Sequence, residues 1–304
     1  MSGSMSIFDR RLVRGHKDRA AANFDQHNFL YDEVAMRLVD RLNDTNRTFK
    51  TVLDLASCNG VMQPHLTERR DINKLFHSSI SEPMVRAIRE IDNESIAFVS
   101  DEESLPVSEN SLDLVISNLN LHWVNDLPGA LIQIRKALRP DGLFLATLFG
   151  GGTLKELRSA LQLAEAEIYG GTSPRVSPFI DVRDAGNLLA RAGFALPVSD
   201  LDTIEVTYDD MFRLMADIRG TGDSNTLLQR QKKNAHRSLF DLAAKIYKAH
   251  FSNKDFRITA TFNIVFLTAW APHPTQQKSL RPGSASMRLA DVLGSHEVRL
   301  KDKT

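Results

Sequence analysis

The chain contains one cysteine, Cys58, in 304 residues. That excludes an internal disulfide and a zinc site built from several cysteines, and it suits a reducing compartment. Excess charge is missing as well: 38 basic residues balance 38 acidic ones. No global electrostatic argument for nucleic acid or an anionic membrane surface survives that balance. Long apolar runs are absent. The most apolar stretches, 143–149 and 264–271, fall far short of the roughly 20 residues a membrane-spanning helix needs. The histidines show no spacing with a carboxylate of the two-histidine, one-carboxylate kind, so no metal site is expected. There is no internal repeat, no low-complexity tract and no apolar leader.

What is present is ordinary globular material: 42% hydrophobic and 25% charged residues, enough to bury a substantial core. Residues 1–4 precede a second methionine, Met5, and are set aside as a short tail. The basic stretch 10–19 is compatible with an organelle transit segment. Asp9, Asp18 and the scarcity of serine favour a solvated helix face or a short basic arm.

From Thr51 onward, short apolar runs alternate with amphipathic segments. Thr51–Leu55, Ile72–Ser78, Ile96–Ser100, Leu112–Ser117 and Leu143–Phe149 are strand candidates. Val61–Arg69, Glu82–Ile91 and Leu127–Leu138 have helical period, and Arg139-Pro140-Asp141-Gly142 is turn chemistry. This alternation predicts βαβ units, a parallel sheet and helices on both faces. The second half offers helices over Thr153–Ile168, Val182–Ala192, Met211–Arg219 and Ala235–Phe251, with strands over Val198–Tyr208 and Arg257–Ala271. The expected organisation is an N-terminal helical arm (1–44), an α/β domain (45–271) with a helical insertion near 208–252, and a polar tail (272–304). Within that tail, 272–286 is expected to be a mobile lid or docking strap.

Open α/β sheets bind ligands beyond the carboxyl ends of their strands. The candidate positions are therefore Asp54 to Gly60, Ser78 to Glu82, Ser100 to Glu103, Asn118 to Trp123, and Gly150 to Gly152. An acidic residue followed by small ones and a helix start lets a ligand approach free N–H groups.

The stretches DLASCNG, SLDLVISNLNLHW and LRPDGLFLATLF resemble class I S-adenosylmethionine-dependent methyltransferases. Longer stretches (GGTLKELRSALQLAEAE, SPFIDVRDAGNLLARAGF, MADIRGTGDSN, WAPHPTQQKSLRPGSA) resemble the methyltransferase-like assembly factors of respiratory complex I. The malonyl-carrier-protein methyltransferases of biotin synthesis are a more distant likeness. The resemblance spans nearly the whole chain. It implies a Rossmann-like seven-stranded sheet with its last strand antiparallel, and S-adenosylmethionine as cofactor.

Residue by residue, the resemblance implies that Asp54 supports the methionine end of the cofactor and Gly60 closes the first motif, with Ala56 and Ser57 between them. Ser79 and Ile80 would face the ribose, Asp101 and Glu102 the adenine, and Asn118 and Leu119 the sulfonium. His122 and Trp123 are candidate walls of a substrate pocket, or plain packing residues.

Two departures stand out. Ala56 and Cys58 occupy positions that usually hold glycine, and Ser79 replaces the usual ribose-binding acid, a loss that Glu82 could offset. No catalytic base is legible. Two functions follow: a methyltransferase acting on a protein or small molecule, or an assembly factor that binds or arginine-modifies a complex I subunit. The expected setting is the cytoplasm of a bacterium or a mitochondrial matrix.

Overall fold

The computed structural model describes residues 6–91, 96–232, 235–277, 283–284 and 286–295. Strands β1 (Thr51–Asp54), β2 (Lys74–Ser79), β3 (Ile96–Val99), β4 (Leu112–Ser117) and β5 (Leu138–Phe149) pair in parallel. Strand β7 (Ile258–Trp270) runs antiparallel to both β5 and the edge strand β6 (Ala195–Tyr208). The order is β3-β2-β1-β4-β5-β7-β6, the seven-stranded sheet with an antiparallel last strand that the resemblance implies. Strand order reverses between β1 and β4, which puts the ligand-binding crevice at their carboxyl ends.

Alternate residues of the central strands feed two cores. On one face Val52, Leu114 and Leu145 meet helices α2 (Phe29–Asn43), α6 (Lys155–Tyr169) and α9 (Arg237–Phe251) through Val34, Leu38, Leu161 and Leu239. On the other, Leu53, Val115 and Phe144 meet α5 (Leu127–Ala137) and α7 (Val182–Arg191) through Leu131, Ile134 and Leu189. Both faces are covered, so the strands read as continuous apolar runs. Helix α1 (Arg10–Ala20) begins at Asp9, whose side chain accepts the Leu12 N–H. Helices α3 (Gln63–Thr67), α4 (Glu82–Ile91) and α8 (Met211–Gly220) complete this part of the chain.

Several expectations are corrected. The Arg139–Gly142 segment is no free turn: β5 starts at Leu138 and runs through it, with Asp141 at φ 66° and a register shift opposite Leu112–Leu114. Helix α3 is shorter than expected because the chain first spends Leu55–Met62 on a turn. The segment read as an arm includes α2, whose Leu38 and Leu42 are fully buried in the main core.

The chain divides into two units, Met1–Pro272 and His273–Thr304. In the second, His273 Nδ1 lies 2.6 Å from Thr275 Oγ1, and a short helix α10 covers Leu289–Leu293. Lys278, Arg281 and the prolyl residue after it, to which the strap reading was tied, lie outside the described residues. No helix among the described residues is long and apolar enough to cross a membrane.

Candidate active site

The turn after β1 is drawn between its neighbours. The Leu55 N–H donates to Ile116 O of β4 (2.8 Å) and the Ser57 N–H to Ser78 O of β2 (2.7 Å). Left-handed backbone falls at Ala56 (φ 61°), Asn59 (46°) and Gly60 (70°), but not at Cys58. Cys58 is thus an unstrained substitute, contrary to expectation, and the cost of left-handed backbone, about 1–2 kcal/mol, falls on Ala56. At Gly60 a Cβ would come within 3.3–3.4 Å of Gln63 and Ile88.

Asp54 is buried, with Oδ2 2.9 Å from Nδ1 of the fully buried His77 on β2. Asp54 Oδ1, Ser57 Oγ, Ser78 Oγ, His77 Nε2 and Ser100 Oγ are buried without a hydrogen-bond partner among the described residues. Each such atom costs about 1–3 kcal/mol unless something binds it. They lie together at the ends of β1, β2 and β3.

Ser79 is buried and its Oγ accepts weakly from the Ser81 N–H (3.4 Å); Ile80 is half-buried. Glu82 is turned away, exposed and paired with Arg86 at 2.5 Å, so it does not stand in for the missing acid. Asp101 to Glu103 form a tight turn, closed by the Ser104 N–H on Asp101 O at 3.0 Å. Together they clasp Arg10 of α1: Asp101 Oδ1 at 2.7 Å, Glu102, and Glu103 Oε1 at 3.8 Å. Arg10 Nη1 also donates to Trp123 O at 3.2 Å. Burial pushes the Glu102 carboxyl upward against the pull of Arg10. The start of α1 therefore lies across the ends of β3 and β4.

After β4, Asn118 is engaged at both ends of its amide. Nδ2 donates to Tyr31 O (2.8 Å) and Oδ1 accepts from Thr147 Oγ1 (2.9 Å). Leu119 is left-handed (φ 49°), with its N–H on Thr147 Oγ1 at 3.0 Å. Asn120 Nδ2 ties this loop to the first, donating to Ala56 O (2.6 Å) and approaching Cys58 Sγ (3.0 Å). Asn118 thus shapes the loop, whose backbone at Leu119 is bonded at both its N–H and its carbonyl.

Next to Leu119 lies a buried polar cluster. Lys17 Nζ donates to Asp223 Oδ1 (3.0 Å), Thr221 O (3.0 Å) and Tyr31 Oη (3.2 Å). Tyr31 Oη stands 2.9 Å from Asp223 Oδ2 and 3.1 Å from Leu119 O. Trp123 Nε1 and Thr221 Oγ1 complete the donors around Asp223. Burial works against both charges, but Asp223 holds the Lys17 ammonium above its usual range and Lys17 holds the carboxyl below its own. The Tyr31 hydroxyl is pushed well up by burial and Asp223. Cys58 is pushed up by burial although Lys17 pulls the other way, so it is a thiol in the core.

His122 has no partner for either nitrogen among the described residues and packs on Phe149 at 4.7 Å. Burial lowers its pKa to about 3, so the ring is neutral. Sequence reasoning missed Lys17, Tyr31 and His77, for which no local pattern exists. Asp223 at least lies inside the MADIRGTGDSN stretch.

Beside this cluster is a cavity of about 40 Å³ whose walls include Tyr31, Trp123, Phe149, Phe179 and Phe262. Asp217 also lines it, 2.7 Å from His27 Nδ1 and hydrogen-bonded to Tyr208. Among the described residues no group of three or more His, Cys, Asp or Glu side chains is placed to hold a metal ion.

The model of a methyltransferase domain matches residues 53–146, the span from β1 into β5. Arginine-hydroxylase NDUFAF5, mitochondrial, of Mus musculus is 42% identical over 302 residues, covering 99% of this chain and 88% of that one. The malonyl-[acyl-carrier protein] O-methyltransferase of Xylella fastidiosa (strain M23) is 33% identical over 270 residues, covering 88% and 89%. The Haemonchus contortus phosphoethanolamine N-methyltransferase 2, solved with phosphomonomethylethanolamine and S-adenosylhomocysteine, shares the fold. Its TM-score is 0.52 at 14% identity, with 86% of this chain and 60% of that chain covered. With its sheet order, its first-motif turn and relatives along almost its full length, the chain belongs to the class I S-adenosylmethionine-dependent methyltransferase family, in the branch that includes NDUFAF5.

Proposed function

We propose that this chain binds S-adenosylmethionine at the carboxyl ends of β1–β4 and modifies an arginine side chain of a protein partner, a subunit of respiratory complex I. The cofactor half is carried by the unpartnered buried atoms Asp54 Oδ1, Ser57 Oγ and Ser100 Oγ, which a polar ligand would satisfy. The small turn residues Ala56, Ser57 and Gly60 fit the methionine end. Ser79 offers the ribose a neutral hydroxyl in place of a carboxylate, and Ile80 offers it an apolar edge. Asp101 binds Arg10 through Oδ1, which leaves Oδ2 for the adenine amino group, with Glu102 beside it. Leu119 and Asn118 would border the sulfonium. The arginine half rests on the NDUFAF5 relatives, which are named arginine hydroxylases and mitochondrial.

When bound, the cofactor supplies an electrophilic methyl group on a cationic sulfonium. The chain's residues align the acceptor and keep water out. Tyr31 stands between the Leu119 carbonyl and the cavity, and its raised pKa keeps it a neutral donor, not a phenolate base. Asp223 is held ionised by Lys17 and fixes the tyrosine hydroxyl. His122 stays neutral beside them.

The relatives' name favours a second reading, in which the same cleft serves hydroxylation of arginine. One experiment separates the two. The protein is incubated in aerated buffer with a reductant, methyl-labelled S-adenosylmethionine and complex I subunits, so that a methyl donor for the first reading and molecular oxygen with two electrons for the second are both supplied, and the subunits are analysed by peptide mass spectrometry. A labelled arginine heavier by one methylene supports methyl transfer; an unlabelled arginine heavier by one oxygen atom supports hydroxylation. Failure of S-adenosylhomocysteine to bind in calorimetry would overturn the cofactor half.

A further inference from the structure

We propose that the groove beside the start of α6 docks an acidic side chain of the protein partner, with Arg158 as its counter-ion; this rests on the reading above that the partner is a protein. The groove has a volume of about 380 Å³, and its walls include Gly151, Arg158, Arg175, Val176, Pro178 and Phe179. Phe179 also walls the aromatic cavity beside Tyr31, so a chain seated in the groove lies one ring away from that cavity.

The two arginines decide what the groove takes. Arg175 is neutralised, with Nη2 and Nε donating to Glu165 Oε1 at 2.8 and 3.1 Å. Arg158 is half-buried and forms no ion pair among the described residues. Its guanidinium reaches only main-chain carbonyls: Ser177 O at 3.2 Å, and Gly151 O and Thr153 O at 3.5 Å. These contacts sit at or beyond the long end of ordinary N–H···O bonds, about 3.2 Å. They strap the segment around Ser177 to α6, but a carbonyl carries no net charge. The Nε–H and one N–H of Nη1 have no partner among the described residues. Burial alone pulls the Arg158 pKa down, as expected of a cation without a counter-charge. No acidic residue lines the groove among the described residues, and the nearby N-terminus of α6 adds to the positive field. A carboxylate is the charge this wall lacks, and guanidinium binds it more strongly than it binds a carbonyl.

The three glycines after β5 divide between packing and access. A Cβ at Gly150 would lie 3.1 Å from Val265, and one at Gly152 would lie 2.9 Å from Asn263, so β7 requires both to be glycine. At Gly151 the nearest atom is Phe179 O at 3.8 Å. Gly151 is exposed and lines the groove, which leaves room for a second main chain to approach. A carboxylate head fills only a small part of the volume. The rest, walled by Val176, Pro178 and Phe179, suits apolar residues on either side of the acid, which favours a peptide segment over a small free acid.

The test is a nuclear magnetic resonance titration of the isotope-labelled full chain without cofactor, following the Gly151 and Phe179 amide signals. The probes are acetyl-valyl-glutamyl-valine amide, its glutamine counterpart and butyrate. The glutamyl peptide should bind about tenfold more tightly than the glutaminyl peptide, and more tightly than butyrate. Arg158→Gln should bring the two peptides together. Because Arg158 also straps the Ser177 segment, Arg158→Lys serves as the second variant: it keeps the charge but not the strap, and it should retain a preference for the glutamyl peptide. Equal binding of the two peptides by the parent overturns the proposal. So does a preference that persists in Arg158→Gln, or one lost equally in Arg158→Lys, which would make the side chain a strap only. Butyrate binding as tightly as the glutamyl peptide would make this a site for a free acid and overturn the partner assignment. Since the titration uses no cofactor, a failure of S-adenosylhomocysteine binding leaves its outcome untouched.

Discussion

The polar atoms at the ends of β1–β3 and those around Asp223 are buried to a similar depth, yet their bonding is opposite. Around Asp223 every oxygen has donors, collected from α1, α2, the loop after β4 and the segment after α8. Around Asp54, one carboxylate oxygen, three serine hydroxyls and an imidazole nitrogen have none among the described residues. A satisfied buried network acts as scaffold, while an unsatisfied one has affinity left over for a ligand. Substitutions in the first region should therefore cost folding, and substitutions in the second should cost binding.

The largest effect should come from the satisfied side. Lys17→Met strands the Asp223 carboxylate in the interior and should cost about 3–5 kcal/mol, read from the urea unfolding midpoint. The remaining donors of Tyr31, Thr221 and Trp123 place the expectation at the low end. A neutral effect would break the contrast.

On the unsatisfied side, Asp54→Ala should weaken S-adenosylhomocysteine binding by roughly tenfold to a hundredfold, the value of about 1.5–3 kcal/mol for a charged hydrogen bond. The fold should persist, because only His77 Nδ1 loses a partner. Unchanged calorimetric affinity in a folded variant would remove Asp54 from the cofactor site.

A pH experiment sharpens the comparison. An unfolded imidazole titrates near 6.5, but folded His122 resists its proton down to about 3. As pH falls below the unfolded value, the unfolded state binds the proton that the folded state refuses. Stability then drops by up to about 1.4 kcal/mol per pH unit until the folded value is reached. His122→Phe should flatten this, leaving the variant roughly 3 kcal/mol less acid-sensitive than the parent between neutrality and about pH 4. Parallel curves from denaturant titrations would place the imidazole in solvent.

Ala56→Gly should do least. It relieves left-handed backbone worth about 1–2 kcal/mol but frees the unfolded chain by about 0.5–1 kcal/mol. The net expectation is a small gain in melting temperature, and a loss would show that the alanine methyl group packs usefully in the turn.

The sheet was legible because its signals are local. Val52, Leu114 and Phe144 sit in short apolar runs, and a run that fills both faces of a sheet predicts a central parallel strand whatever lies elsewhere in the chain. The turn after β1 was legible for the same reason, since Asp54, Ala56 and Gly60 are neighbours in sequence. Misreadings came where a distant partner overruled a local pattern. Arg139–Gly142 has turn composition, but Leu138 and Leu143 on either side pair with β4, and Asp141 and Gly142 exchange backbone bonds with Ala271, which holds the segment in β5 as a bulge. Nothing local in Asp101 to Glu103 names Arg10, some 90 residues earlier, which is folded onto them.

Sequence alone thus determined the parallel sheet and named its strand ends as candidate ligand positions, because periodicity and turn chemistry act over a few residues. Tertiary structure alone decided which buried polar groups satisfy one another and which lack a partner among the described residues. Lys17 reads as one more lysine in a basic helix until Asp223, 206 residues away, closes over it. A buried charge is defined by the partner that makes its burial tolerable, and no local pattern names that partner.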